Sequence, residues 1–164
     1  KRDYFIQNVV TEIIKHKDKL SLKIKIHPTN ENIQEYQKIV NKIDPSIQII
    51  QKGEFLEQLD DTDVVVTFPA GASVCTYTTI ARMPLMICNF FNDKWLFLEK
   101  EIATECKNPI NLFQNIEDAL KINPQLNKNI EDFIEESIYK DDGLASQRFG
   151  DVLINYLENN KTFE

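Results

Sequence analysis

The chain has 164 residues, of which 42% are apolar and 27% are charged, a composition typical of a globular protein with its own core. Its net charge of −7 argues against a surface built mainly to bind nucleic acid or anionic lipid. No apolar run approaches the roughly 20 residues that a membrane-spanning helix needs. The three cysteines are odd in number and lack CxxC spacing, which favours buried reduced thiols and a cytoplasmic location.

Helical and strand patterns alternate along the first third of the chain. Apolar residues recur every three or four positions over residues 4–17, which predicts a helix, and every second position over 20–26, which predicts a strand. Asn30 is a candidate N-cap for the next helix. A short strand over 47–50 and a short helix over 54–59 follow.

The central segment, residues 63–90, carries the clearest pattern. Two near-continuous apolar runs, 64–68 and 85–90, predict strands that are covered on both faces. A turn of small residues, 69–73, and a helix lie between them. A strand that enters such a turn before a helix leaves backbone N–H groups unpaired at the helix start, where the helix dipole also favours an anion. The segment therefore predicts a phosphate-binding turn.

The last part of the chain is predicted to be mainly helical. Residues 93–106 have a partly helical pattern, 109–113 the pattern of a short strand, and 116–122 a helical pattern. Amphipathic helices are predicted over 129–139 and 144–159.

Together these elements predict an α/β fold. Strands that alternate with helices at this spacing imply right-handed crossovers and a mainly parallel sheet, in a Rossmann-like three-layer domain. We expect residues 1–164 to form one such domain. The chain starts at Lys1 and enters a helix at once, so we also expect it to be part of a longer protein. Ligands of such sheets bind beyond the carboxyl ends of the strands, so that edge is the expected site of chemistry.

One candidate at that edge is His27, which lies between Ile26 and Pro28 at the end of the first predicted strand. Pro28 cannot donate to a strand ladder and disfavours a helical conformation at the preceding residue, so it ends the strand and keeps His27 extended. The imidazole would then project at the ligand edge, where it can donate to phosphate oxygens or transfer a proton. The alternative is a histidine that is merely satisfied by a nearby carbonyl.

The other candidate is the turn Pro69-Ala70-Gly71-Ala72-Ser73. Gly71 permits close approach of a ligand to the backbone, and Ser73 offers a hydroxyl at the helix start. The alternative is an ordinary helix N-cap. Because we expect the histidine and this turn to follow adjacent strands, the two features predict one shared phosphate site.

Other motifs do not support a site. Residues 71–75 (GASVC) depart from the nucleophile elbow G-x-S-x-G at their last position, and both histidines precede Ser73, whereas that hydrolase fold needs its histidine afterwards. Residues 61–63 (DTD) lie before their strand, at the amino edge of the sheet, where a structural turn is the simpler interpretation. The sequence contains no dinucleotide, P-loop or zinc-binding motif, so no metal or bound cofactor is predicted.

Five segments of the chain follow one another in a familiar order. They are LKIKIHP (22–28), DVVVT (63–67), the turn at Ser73, ARMPLMI (81–87) and DGLAS (142–146). Together they resemble the C-terminal, donor-binding half of GT-B-fold nucleotide-sugar enzymes. The likeness is to glycosyltransferases of surface and capsular polysaccharide, including the CDP-glycerol and polysialic acid polymerases, and to UDP-N-acetylglucosamine 2-epimerase. It extends over residues 20–157, and the ordered set of motifs carries it.

The resemblance implies roles for residues at the carboxyl edge. In these families the His-Pro histidine lies at the nucleotide phosphates, which implies that His27 is the catalytic residue and stabilises the departing phosphate. The small-residue turn and the strand end before it hold the phosphate, which implies Thr67, Pro69, Gly71, Ala72 and Ser73. The segment after the second strand contacts the base, which implies Lys52, Gly53, Glu54 and Phe55.

The resemblance also implies that no metal or other cofactor is needed. Helix dipoles and basic side chains neutralise the leaving phosphate in this fold. The nucleotide-sugar or CDP-polyol donor is itself the substrate.

The chain departs from the family pattern at two positions. An acidic residue that binds the ribose hydroxyls is common seven positions before Pro84, and here that position is Tyr77. Tyrosine can hydrogen-bond a hydroxyl, but it does not offer two acceptor oxygens. A common glycine two positions before the proline is Arg82 here. The epimerase's glycines and glutamates on this helix are also absent, which favours a transferase.

The sequence therefore predicts the donor-binding half of a cytoplasmic glycosyltransferase for surface or capsular polysaccharide. Its partners would be a nucleotide-activated sugar donor and an N-terminal acceptor domain of the same protein. We expect no nucleic acid partner and no transmembrane segment, and a peripheral location at the inner face of the membrane stays open for the full-length protein. Two alternatives remain: an epimerase that acts on the nucleotide sugar itself, and a non-catalytic Rossmann-like binding domain.

Overall fold

The computed structural model describes residues 1–140 and 142–159, and this part of the chain forms five short strands and seven α-helices. The strands are β1 (Lys23–Lys25), β2 (Gln48–Ile50), β3 (Val65–Thr67), β4 (Leu85–Cys88) and β5 (Thr104–Cys106). The helices are α1 (Arg2–Ile14), α2 (Ile33–Val40), α3 (Ala72–Ile80), α4 (Leu96–Glu99), α5 (Leu112–Ala119), α6 (Pro124–Ile138) and α7 (Ala145–Asn159). Two 3₁₀ turns, Leu56–Gln58 and Pro109–Asn111, complete the order.

The strands pair in parallel, as their alternation with helices predicts. β1 pairs with β2, while β3, β4 and β5 form a separate three-stranded sheet with β4 at its centre. The α/β class and the parallel pairing are thus confirmed, and both are compatible with a Rossmann-like fold.

Helices cover both faces of the three-stranded sheet because successive side chains of β4 point to opposite faces. Leu85 and Ile87 pack with residues of α3, α4 and α6 on one face. Met86 and Cys88 pack with residues of α1 and α5 on the other. All four residues of β4 are buried. This sheet is therefore the middle layer of a three-layer arrangement.

Helices cover the two-stranded sheet less completely. Ile24 and Ile49 pack against a cluster formed by α1 and α2, which includes Val10 and Val40. Every residue of β1 is only half-buried. Because α1 contributes side chains to this cluster and to the one beneath β4, it ties the two sheets together.

The expectation that β1 and β3 are adjacent strands is wrong, because they are not hydrogen-bonded to each other. The crossover that leads into β3 contacts β1 through a side chain instead. Lys23 Nζ donates to Gln58 O at 2.7 Å and pairs with the Asp61 carboxylate. A lysine side chain, rather than a strand ladder, therefore joins β1 to this part of the chain.

The strand β5 falls in a segment that was expected to be partly helical. Its pairing with β4 aligns Cys106 with Cys88 and buries Cys106. Thr104 and Glu105 are only half-buried, so the sequence of this strand lacks an apolar run. Pairing with β4, rather than an apolar pattern of its own, therefore determines this strand.

The expected strand over residues 109–113 is wrong, and an Asn-Pro helix start replaces it. Asn108 accepts a hydrogen bond from Ile110 N (3.1 Å), Pro109 begins a 3₁₀ turn, and the chain continues into α5. Asn123 likewise accepts from two backbone N–H groups and starts α6 at Pro124, five residues before the expected position.

The final helix, α7, lies on the surface, and none of its residues is buried. Arg148 holds its first turn, since its guanidinium forms two 2.8 Å hydrogen bonds to Asp142 and lies 5.4 Å from the Tyr139 ring centroid. None of the helices in the described part of the chain is long and apolar enough to cross a membrane.

Candidate functional site

The chain segments that follow β1 and β3 lie along one edge and meet at the first turn of α1. The Arg2 guanidinium pairs with Glu31 after β1 at 3.0 Å. The Phe5 ring contacts the Phe68 ring after β3, with centroids 4.6 Å apart. This edge is the carboxyl edge of both parallel sheets, where ligands of α/β folds bind.

His27 is exposed at this edge, and the loop that follows it holds its ring. Nδ1 lies 3.2 Å from Thr29 N and 3.1 Å from Asn30 N, so it accepts from two backbone N–H groups. Because Nδ1 is an acceptor, the proton of the neutral imidazole resides on Nε2. The loop thus selects the tautomer whose free nitrogen can donate to an anion.

This arrangement also explains where α2 begins. The expected N-cap, Asn30, gives its N–H to His27. Asn32 caps the helix instead, by accepting a hydrogen bond from Gln34 N at 3.0 Å. The partners of His27 Nδ1 are the backbone N–H groups of Thr29 and Asn30, with Thr29 Oγ1 3.3 Å away.

The small-residue turn lies at the start of α3, where it was predicted. Ala70 N donates to the Phe68 carbonyl at 2.6 Å and closes a three-residue turn. Gly71 is the N-cap and Ser73 is exposed, and no acidic side chain lies in this first helical turn. Within residues 1–140 and 142–159, the Ala72 and Ser73 amides have no hydrogen-bond partner. They are therefore available to an anion.

The fold itself does not require glycine at position 71. Its φ of −102° is open to any residue. A methyl group there would lie 3.4 Å from Thr67 Oγ1 and 3.5 Å from Val74 Cβ, which is ordinary contact.

Residues 52–55 lie beside His27 because β1 and β2 are in register. Ile26 N donates to Ile50 O at 2.9 Å, which puts Lys52 after β2 at the position that His27 has after β1. Both side chains are exposed. An exposed imidazole and an exposed ammonium group thus follow the carboxyl ends of two paired strands.

In the rest of this segment, Gly53 and Glu54 are exposed and Phe55 is half-buried. Gly53 has a φ of +81°, a left-handed conformation that favours glycine. Glu54 N donates to Glu57 Oε2 at 3.2 Å. The Phe55 ring is half-buried against the core on the α3 side of the three-stranded sheet.

The two departures from the family pattern have different consequences. Tyr77 lies one helical turn after Ser73 on the same face of α3 and is 48% exposed, so it is available to a ligand on that face. Arg82 has a φ of +55°, the conformation that glycine adopts most easily, so the backbone shape expected of a glycine is kept. Its guanidinium forms hydrogen bonds of 2.6 and 3.0 Å to Glu131.

A cavity of about 430 Å³ lies between the small-residue turn, the loop after β4 and the first turn of α1. We call it the aromatic cavity, because five rings line it: Phe5, Phe68, Phe90, Phe91 and Trp95. Pro69 and Ala70 of the turn line it as well. Sequence reasoning missed this cavity, although the FF pair after β4 and the only tryptophan were available signals.

Asn89 holds the wall of the aromatic cavity that follows β4. Its Nδ2 donates to Asp93 O (3.0 Å) and to Glu105 Oε1 (2.7 Å), and its Oδ1 accepts from Asp93 N (2.8 Å). The Trp95 indole Nε1 is buried and has no conventional hydrogen-bond partner in the described part, where its neighbour is the weakly accepting Cys75 sulfur. Burial raises the pKa of Cys75 to about 11, so this sulfur is a neutral thiol.

The predicted buried thiols are confirmed, since all three cysteines are free and buried. In residues 1–140 and 142–159, no group of three or more His, Cys, Asp or Glu side chains is placed to hold a metal ion.

The chain matches no protein-family model, no curated protein and no solved structure at a significant level. Its functional assignment therefore depends on the motifs and on the geometry described above.

Proposed function

We propose that this chain binds the nucleotide of an activated sugar or polyol donor, as the donor half of a GT-B glycosyltransferase for surface or capsular polysaccharide. The observation that carries the proposal is the tautomer of the His27 imidazole. Its Nδ1 accepts two backbone N–H groups, so its Nε2 is a donor even when the imidazole is neutral. Such a group can bind a phosphate at neutral pH without first gaining a proton.

The start of α3 provides the second phosphate contact. The Ala72 and Ser73 amides are available to an anion, and the helix carries no acidic side chain in its first turn to oppose one. The helix dipole adds a favourable contribution of roughly 0.3–1 kcal/mol for a negative charge at such a position. The imidazole and the amides would bind one pyrophosphate from two sides.

When a sugar is transferred, the bond between the anomeric carbon and the phosphate oxygen breaks while an acceptor hydroxyl forms the new bond to that carbon. A CDP-polyol has no anomeric carbon, so there the acceptor hydroxyl attacks the phosphorus next to the polyol, the pyrophosphate P–O bond breaks and CMP leaves. The leaving nucleotide keeps the electron pair, so negative charge grows on its terminal phosphate. A hydrogen bond from His27 Nε2 and the dipole of α3 stabilise this charge as it develops. The acceptor and the base that deprotonates it would belong to the other domain.

The composition of α3 favours a transferase over an epimerase. An epimerase must move protons at the sugar ring, for which carboxylates are suited, and α3 contains no Asp or Glu. An epimerase would convert a nucleotide sugar without an acceptor. Incubation of the donor with the full-length protein, with and without acceptor, therefore separates the two activities.

Calorimetric titration with UDP, CDP and CMP tests the proposal. We expect at least one of these nucleotides to bind, and His27→Ala to weaken binding about 10- to 100-fold, since a hydrogen bond to a charged group contributes about 1.5–3 kcal/mol. His16→Ala is the matched control, because the other histidine stacks on Phe113 with ring centroids 4.0 Å apart. The proposal is wrong if none of the nucleotides binds, or if the His27 and His16 variants bind them equally well.

A further inference from the structure

The aromatic cavity directly adjoins the phosphate turn. Pro69 and Ala70 form part of its wall and immediately precede the Gly71 N-cap of α3. Its volume of about 430 Å³ is within the range of small-molecule sites. A ligand whose phosphate lies at the start of α3 can therefore extend into this cavity.

We propose that the aromatic cavity binds the nucleobase of the donor, which stacks on the rings that line it. This inference rests on the proposed function, because it places one part of the same nucleotide. Bases bind to proteins chiefly by stacking on aromatic side chains, and every base has a π-face that can do so. The lining includes the rings of Phe68, Phe90 and Phe91. The Lys1 ammonium lies 5.0 Å from the Phe91 ring centroid, so a base that stacks on that face displaces it.

The polar groups of the cavity favour a base over a sugar. The Asp93 carboxylate is already paired with Lys1 Nζ, at 2.8 and 2.9 Å. Both N–H groups of the Asn89 amide are already donated, to Asp93 O and Glu105 Oε1, and its Oδ1 accepts from Asp93 N. Within residues 1–140 and 142–159, two polar groups of the lining have no conventional hydrogen bond or ion pair: the exposed Lys94 ammonium and the buried Trp95 Nε1. A sugar ring would leave most of its hydroxyls unpaired here, whereas a base has fewer polar groups, all at its edge, and can bury its faces against the rings.

This placement differs from the one that the family resemblance implies. Residues 52–55 offer one aromatic ring, Phe55, and that ring is half-buried against the core. The cavity offers five rings, and Phe91 among them is 45% exposed. We therefore assign the base to the cavity and leave Lys52 to the phosphates.

Trp95 allows a direct test, because it is the only tryptophan in the chain and lines the cavity. Uridine, cytidine and adenosine, which carry no phosphate, are titrated while Trp95 fluorescence is followed, and pyrophosphate is titrated separately. We expect at least one nucleoside to change the fluorescence. Pyrophosphate should displace bound UDP without changing the fluorescence by itself.

Two matched variants separate the possible positions of the base. Phe91→Leu should weaken UDP binding about fivefold or more, because stacking is lost while apolar bulk is kept. Phe55→Leu should change it less than twofold. Pyrophosphate affinity should stay the same in both variants, which shows that the fold and the phosphate site are intact.

Two results would overturn the inference while leaving the proposed function in place. One is that pyrophosphate and UDP bind but no nucleoside or nucleotide alters Trp95 fluorescence. The other is that Phe55→Leu weakens UDP binding and Phe91→Leu does not. If neither pyrophosphate nor any nucleotide binds the wild-type chain, the inference and the proposed function both fail.

Discussion

The two parallel sheets of this protein differ in how fully they are covered. Every residue of β4 is buried between helices on both faces, whereas every residue of β1 is only half-buried. Yet the less covered sheet presents His27, and the fully covered one presents the small-residue turn. From this difference we expect the three-stranded sheet to supply most of the stability, while the proposed ligand edge draws on both sheets.

A pair of core substitutions gives the largest expected effect. Met86→Ala should lower the free energy of unfolding by about 3 kcal/mol, because it leaves a void under a fully buried side chain. Ile24→Ala, in the half-buried β1, should lower it by roughly half as much. Urea unfolding of both variants measures the difference, and equal losses would show that the two sheets are equally important to stability.

The pH dependence of stability reports on the cover of the two-stranded sheet. Burial, followed by the nearby Glu31 carboxylate, raises the pKa of Tyr36 to about 12, above its ordinary value of about 10. The phenol of the unfolded chain therefore loses its proton at a lower pH than that of the folded chain. The stability that this difference contributes is complete below pH 10 and is lost as the pH rises through about 12. The loss should be about 2 kcal/mol.

Unfolding of wild type and Tyr36→Phe between pH 9 and pH 12 isolates this contribution, since lysines that titrate in the same range are common to both. The wild type should lose more stability than the variant. Parallel curves would mean that the phenol is not desolvated in the folded state.

Replacement by alanine of the two glycines that follow β2 and β3 should change the free energy of unfolding by different amounts. Gly53→Ala should cost about 1 kcal/mol or more, because alanine is strained at a φ of +81°. Gly71→Ala should stay within about 0.5 kcal/mol of wild type, since a poorer N-cap is offset by a less flexible unfolded chain. Thermal unfolding measures both. The opposite order would mean that the small-residue turn, rather than the turn after β2, is strained.

The ion pair between Lys23 and Asp61 should have the smallest effect. The Lys23 ammonium lowers the pKa of Asp61, but the carboxylate is fully exposed to solvent. Asp61→Asn should therefore leave the unfolding transition unchanged within experimental error. A clear loss of stability would show that this contact, and not α1, is the main connection between the two sheets.

The sequence predicted elements whose apolar spacing is regular, such as β3, β4 and α1. It did not predict β5, because Thr104 and Glu105 give that strand no apolar run. The helix starts at Pro109 and Pro124 were missed although Asn-Pro pairs mark them. At these two boundaries the Asn-Pro cap, and not the apolar pattern, determines where the helix begins.

The candidate site was predictable only in part. The positions of His27 and of the turn at Ser73 follow from strand ends that the sequence shows. The tautomer of His27 does not, because it depends on two backbone N–H groups from the following loop. Nor does the aromatic cavity, whose rings come from α1, from the end of β3 and from the loop after β4, and are assembled only by tertiary packing.

The most direct test of the shared phosphate site is an NMR titration with pyrophosphate that follows the imidazole nitrogens of His27 and the backbone amide of Ser73. The account predicts that His27 Nε2 and the Ser73 amide shift together and saturate at the same pyrophosphate concentration, while the His16 signals stay fixed. Shifts at only one of the two groups, or saturation at two clearly different concentrations, would contradict it.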